Sequence, residues 1–184
     1  MAGPLRGFVI GGRLLAAALA LCLARSVIAQ PVAAPPAETK PAVAPPSLGP
    51  LLPPVSPACI SSPFGPRVLA GLPKAGTFHP GIDMPAPAGG AVRAVADGQV
   101  IAVRRRGAGG LYVMVRHAGF DALYAHLGSL TPAFAEGKRA VAAGEKLGVV
   151  GRTGVSYGAH LYFQMEIKGE RVDPAPYLGL QRCG

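Results

Sequence analysis

The chain has 184 residues, half of them apolar, and its 18 Lys and Arg against 9 Asp and Glu give a formal net charge of +9. That length fits one domain with extensions rather than several domains. The basic excess favours anionic partners, but aromatic residues do not interleave with the Lys and Arg as a base-stacking surface requires, which argues against nucleic acid.

At the N-terminus, Arg6 and Arg13 precede the apolar run 14–24, and "RSVIAQ" then offers Val27 and Ala29 as small residues ahead of a cut before Gln30. Residues 1–29 therefore read as an export signal. The run is shorter than the roughly 20 residues that cross a bilayer, so no membrane span is expected once the signal is removed. Leu21 stands where lipid attachment to Cys22 would want a small residue. Without Arg6, Arg13 and Arg25, 15 basic residues face 9 acidic ones, a net of +6.

Residues 30–57 hold ten of the twenty prolines, mixed with alanine and nearly free of charge. Such a stretch favours polyproline II, and at about 3.1 Å per residue it would reach at most roughly 85 Å as a disordered tether. The folded part is then expected over residues 58–184. It retains two cysteines, Cys59 and Cys183, near its two ends. They are either bridged or free. A bridge would close a loop of more than a hundred residues and stabilise by up to about 4–5 kcal/mol in the chain-entropy model. Export permits it and no metal or redox motif surrounds either cysteine, so the bridge is the expectation.

Within 58–184 the pattern is β throughout. "AVRAV", "GQVIAVRR", "LYVMVRH", "ALYAHL", "KRAVAA", "KLGVVG" and "HLYFQMEIK" are short, rich in Val, Leu and Tyr, and parted by glycine-bearing turns. Only "LTPAFAEG" reads as a helical turn. This predicts an all-β fold, an antiparallel sandwich or barrel-like sheet. The run Arg104-Arg105-Arg106 beside "GAGG" reads as a solvated hairpin tip.

Candidate chemistry lies with the histidines. In "GAHLYFQMEIKG", Leu161, Phe163, Met165 and Ile167 share one face of a strand, and His160, Tyr162, Gln164 and Glu166 the other. His160 and Tyr162 then point side by side from positions about 6.6 Å apart. His79 and Asp83 are four residues apart, but Pro80-Gly81 between them disfavours a helix. In a straight strand they would lie about 13 Å apart, so the chain must bend if both are to meet one ion. His126 shares a face with Tyr124 and is either a backbone-bonded strand histidine or part of a site. His117, before "AGF", reads as a turn residue.

Taken in order, "SPFGPR", "FHPGIDMPAPAGGAVRAVADGQV", "GGLYVMVRHAGFDALYAHLGSL", "GEKLGVVGRTGVSYGAHLYFQMEI" and "VDPAPYL" resemble the domain of lysostaphin/LytM-type peptidoglycan endopeptidases over residues 61–178. The resemblance implies a β-rich groove around one zinc, the peptide cross-links of bacterial cell wall as substrate, and the periplasm or cell envelope as location. Its ligands would be the His and Asp of HxxxD, matched by His79 and Asp83, and the second His of HxH. That third position is Tyr162. His126 and His160 match the two histidines that, by resemblance, help activate the water or stabilise the tetrahedral intermediate. Gln164 stands where the family's "HLHFE" ends in Glu. A phenol, with an ordinary pKa of about 10, must ionise before it becomes a strong ligand, so zinc is expected to be weakly held or absent. Two readings stay open: a zinc endopeptidase with an altered ligand, or a pseudoenzyme that binds peptidoglycan and activates a separate cell-wall amidase.

Overall fold

A computed structural model describes residues 48–68 and 76–184. The expected export signal, and residues 30–47 of the expected tether, lie outside the described residues. The Val- and Tyr-rich runs form short strands, and each glycine-bearing turn starts the next one. In chain order these are β1 (Gly65–Pro66), β2 (Phe78–His79), β3 (Ile82–Pro85), β4 (Ala91–Arg93), β5 (Gly98–Arg105), β6 (Leu111–His117), β7 (Phe120–Leu130), β8 (Ala140–Val141), β9 (Lys146–Val150), β10 (His160–Ile167) and β11 (Glu170–Val172). Single helical turns, α1 (Pro132–Ala135) and α2 (Ala175–Leu178), follow β7 and β11.

All pairings between these strands are antiparallel, as the sequence predicts for this all-β fold. Nine strands form one sheet with the path β11-β10-β7-β6-β5-β8; β3 joins β10, and β9 pairs with both β7 and β4. β10 thus lies between β7 on one edge and β3 with β11 on the other. Its apolar parity, Leu161, Phe163 and Met165, is fully buried beside Ile82, Met84, Val113, Val115 and Leu127. Arg104, Arg105 and Arg106 are exposed at the β5 end, in keeping with a solvated hairpin tip.

Two differences from the sequence reading concern packing. Residues 48–57, expected at the end of the tether, lie on the domain: Val55 is 3% exposed, and Leu48 and Leu51 pack against the core. Proline lacks a donor but keeps its carbonyl, and Pro54 O accepts the Arg93 N–H at 2.9 Å while the Leu52 N–H donates to Val95 O at 2.8 Å. His117, expected in a turn, is buried. Its Nδ1–H donates to Asp97 O at 2.9 Å, and its Nε2 accepts the Tyr124 hydroxyl at 3.3 Å. The same hydroxyl accepts the Val95 N–H at 3.0 Å, so the fully buried Tyr124 ties three segments together. Burial lowers the pKa of His117 and favours the neutral ring that this network needs. The helical turn read in "LTPAFAEG" is present as α1, and the chain leaves it at Gly137 with a φ of 108°.

Cys59 and Cys183 are joined, the bridge the sequence predicts, across a separation of 124 residues. Ile60 N–H donates to Gln181 O at 2.9 Å and Cys183 N–H to Ile60 O at 3.1 Å, so the C-terminal segment is held on both sides of residue 182.

Replacing Tyr124 by Phe keeps the ring and strips both hydroxyl contacts, leaving the Val95 N–H and His117 Nε2 without a partner in the core. We expect a loss of about 1–3 kcal/mol in urea unfolding. A stability equal to that of the wild type would show that the network is not a stabilising element.

Candidate active site

The Pro80-Gly81 step separates β2 from β3 and bends the chain as the pairing of His79 with Asp83 requires. His79 Nε2 approaches Asp83 Oδ1 to 3.2 Å. The bend depends on a missing side chain: a Cβ on Gly81 would stand 2.4 Å from Phe163 O and 3.0 Å from the Tyr162 ring. His160, brought by β10, places its Nε2 3.4 Å from the same Oδ1. Both rings are fixed from behind. His79 Nδ1–H donates to Pro63 O at 2.9 Å and His160 Nδ1–H to Gly158 O at 3.0 Å. Arg67 completes the cluster, with Nη1 3.8 Å from Asp83 Oδ2 and a hydrogen bond to Ser62 Oγ at 3.1 Å. Burial alone would raise the pKa of Asp83, but the hydrogen bonds from His160 and His79 outweigh it and hold the carboxyl well below the usual range. Burial likewise works to lower the pKa of His160, and the contact with Asp83 reverses the sign and raises it.

His126 enters from β7 with its ring centroid 4.7 Å from that of His160 and 6.0 Å from that of Tyr162. Its backbone is left-handed, with a φ of 61°, which disfavours any residue with a Cβ. Neighbouring loops hold it there: His126 N–H donates to Gly109 O at 3.0 Å, and Gly151 N–H donates to His126 O at 3.0 Å. The ring's Nδ1–H donates to Thr153 O at 2.8 Å, and burial lowers its pKa. Thr153 itself is fixed, donating from Oγ1 to Leu127 O at 2.8 Å and accepting the Leu111 N–H at 2.9 Å. The loop behind it approaches the β5–β6 hairpin so closely that a Cβ on Gly154 would lie 2.2 Å from Ala108 O.

Tyr162 faces the same space from β10, its ring centroid 5.4 Å from that of His79. Its hydroxyl, however, donates to Gln164 Oε1 at 2.8 Å, and Gln164 Nε2 donates onward to Glu166 Oε1 at 2.8 Å. Burial pushes the phenol far above its ordinary pKa. The residue in the expected third-ligand position is therefore a neutral hydroxyl whose proton is committed along the strand. His79, Asp83, His126, His160 and Tyr162 all line one groove of about 780 Å³, so the fold brings the five candidate ligand and catalytic residues together. The sequence reading missed Arg67, Arg171 and Arg182, which line the groove too.

A zinc held by His79, Asp83 and a third protein donor needs a lone pair at the third position. A neutral phenol is a weak donor there: it becomes a strong ligand only when ionised, and both burial and the hydrogen bond to Gln164 oppose that ionisation. The set His79, Asp83 and Tyr162 thus does not fit the three-ligand zinc that the motif pattern implies.

The antiparallel β groove with its paired histidines and carboxylate defines a metallopeptidase-like domain. Residues 77–174 match the sequence profile of peptidase family M23, and the chain belongs to that family. It is 46% identical over 116 residues to the DD-carboxypeptidase/endopeptidase Mpg of Neisseria meningitidis, a match covering 62% of this chain and 26% of that protein. It is 32% identical over 115 residues to the peptidoglycan DD-endopeptidase ShyA of Vibrio cholerae, covering 62% and 26%. The chain thus spans about a quarter of the length of these curated relatives. Among solved structures, the catalytic domain of lysostaphin from Staphylococcus simulans is similar with a TM-score of 0.58 and 26% identity, covering 66% of this chain and 92% of that domain. A zinc-containing peptidase from Vibrio cholerae is similar with a TM-score of 0.57 and 29% identity, covering 66% and 37%.

The left-handed backbone at residue 126 gives a stability test independent of activity. Both His126→Gly and His126→Ala lose the ring's bond to Thr153, but only glycine relieves the φ. His126→Gly should be the more stable of the two by about 1 kcal/mol in urea unfolding. Equal stabilities, or the reverse order, would show that the backbone there carries no strain.

Proposed function

We propose that this domain binds the peptide of bacterial cell-wall peptidoglycan in its groove and does not cleave it through a three-ligand zinc site. The observation that carries the reading is the Tyr162 hydroxyl, committed to Gln164 at 2.8 Å where the family pattern needs a ligand. Support for the substrate class comes from membership of the M23 family and from relatives named as peptidoglycan and DD-endopeptidases. The cell envelope is the matching location, in keeping with the export signal read in residues 1–29; among the described residues no helix is long and apolar enough to cross a membrane. A cell-wall amidase is the partner class that a binding, non-cleaving domain would serve.

Metal-dependent hydrolysis is the second reading, and one observation favours it. His160 Nε2 stands 3.4 Å from Asp83 Oδ1, close to the 3.2 Å of His79 Nε2, so a second imidazole already faces the carboxylate.

The full chain, equilibrated with zinc and freed of excess, should retain well under one zinc per chain. It should co-sediment with purified peptidoglycan and release no peptide from it, while Tyr162→His gains both metal and peptide release. One zinc per wild-type chain, with peptide release abolished in His79→Ala, would overturn the non-cleaving reading. Loss of that zinc in His160→Ala would assign His160 as the third ligand. A cell-wall amidase digesting the same peptidoglycan should run faster with the domain present, and an unchanged rate would remove the activator role.

A further inference from the structure

The groove is strongly asymmetric in charge. Among the described residues its lining includes three guanidinium groups, Arg67, Arg171 and Arg182, and one carboxylate, Asp83. Arg67 is part of the Asp83 cluster. The other two are not, and they come from segments that the motif pattern of the site does not use.

Arg171 sits on β11 opposite Glu166 of β10. Its Nε lies 3.6 Å from Glu166 Oε1, the same oxygen that accepts Gln164 Nε2 at 2.8 Å, and its side chain is 57% exposed. A guanidinium carries five N–H donors in a planar fork, so one loose contact at Nε orients the group and leaves its outer edge for a ligand. Arg182 lies on the C-terminal segment, is exposed, and makes no ion pair among the described residues. Its backbone is not free to drift. The β-bridge with Ile60 flanks it, and the next residue, Cys183, is bonded to Cys59. Holding the main chain at such a site reduces the ordering cost that a long side chain would otherwise add on binding.

We propose that Arg171 and Arg182 form a carboxylate-recognition subsite of this groove, beside the His79–Asp83–His160 cluster, which selects cell-wall peptides by a free carboxylate. The inference rests on the peptide-binding reading above and adds what the groove discriminates. A carboxylate presents two coplanar oxygens that match the guanidinium fork, whereas a carboxamide offers one acceptor and no charge. The subsite also explains why the groove is basic although its reactive corner is already neutralised within the protein. Because both side chains are solvent-accessible, the attraction is screened over about 8 Å at physiological ionic strength, and binding should weaken with salt.

The test measures binding of soluble muropeptides, released from purified peptidoglycan by a muramidase, to the full chain by calorimetry. The same muropeptides with their carboxyl groups converted to carboxamides are run alongside. Expected is an affinity at least about tenfold lower for the amidated set, the size of one charge-assisted hydrogen bond lost. Arg171→Ala and Arg182→Ala should each weaken native muropeptides similarly and leave the amidated set unaffected, while Arg104→Ala, at the exposed β5 end, changes neither. Unchanged melting temperatures would exclude a folding effect. Synthetic stem peptides amidated only at the C-terminus, or only at a side-chain carboxyl, identify which carboxylate is read. Equal affinity for native and amidated muropeptides overturns the subsite and leaves peptide binding standing. Binding of neither set overturns the peptide-binding reading and the subsite with it.

Discussion

The alternation along β10 sets Leu161, Phe163 and Met165 into the core with no exposed surface, while His160, Tyr162 and Gln164 line the groove. A one-residue slip would exchange the two sets, so the apolar parity fixes the polar one. Register then carries the constraint to the neighbours. Tyr162 stands opposite Asp83 on β3 and opposite Ala125 on β7, one residue before His126. The core therefore positions a site whose members come from separate parts of the chain. Site residues on paired strands are held more tightly than residues on loops could be, and the loops here act as supports, as Thr153 does for the His126 ring.

Electrostatics accounts for why the cluster at Asp83 survives a changed third position. A mostly buried carboxylate must be paired, and removing its partners is far more costly than the pair is worth. Asp83 meets two imidazoles and a guanidinium, contacts that hold its pKa down in spite of burial. The protein's own groups satisfy this charge. The arrangement of His79, Asp83 and His160 as one geometric unit is thus what a paired, mostly buried carboxylate requires, whether or not the groove performs chemistry.

Much of this was legible in the sequence because it rests on local rules. Period-two alternation marked β10, and the Pro80-Gly81 step between His79 and Asp83 signalled the bend that brings them to 3.2 Å; in β7 the same rule set His126 on the face of Tyr124, which is buried in the core while His126 lines the groove. What escaped depends on contacts between distant segments. The left-handed φ of His126 has no signal in "DALYAHL", since it is imposed by Gly109 and Gly151 across the groove wall. Val55 was hidden in a proline-rich stretch whose composition resembles a tether, although Pro54 only needs to accept a hydrogen bond to dock there. Arg171 and Arg182 carry no signal in the sequence, because nothing local says that β11 and the terminal segment border the groove.

The two departures from the family pattern in β10, Tyr162 and Gln164, behave as one physical unit. A phenol is a donor when neutral, so turned along the strand it needs an acceptor two residues away, which Gln164 Oε1 supplies. A glutamate at 164 could also accept, but it would then set a second carboxylate against Glu166 on the same strand face, a like-charge contact that is destabilising. The amide removes that repulsion and extends the chain of hydrogen bonds, since its Nε2 donates to Glu166 and Glu166 in turn lies against Arg171. Residue 162 is therefore better understood as the first link of a rebuilt polar row than as a vacant ligand position. The row runs from the Asp83 corner towards Arg171, so the hydrogen bonds that occupy the Tyr162 hydroxyl also order the arm of the groove where charge recognition is proposed.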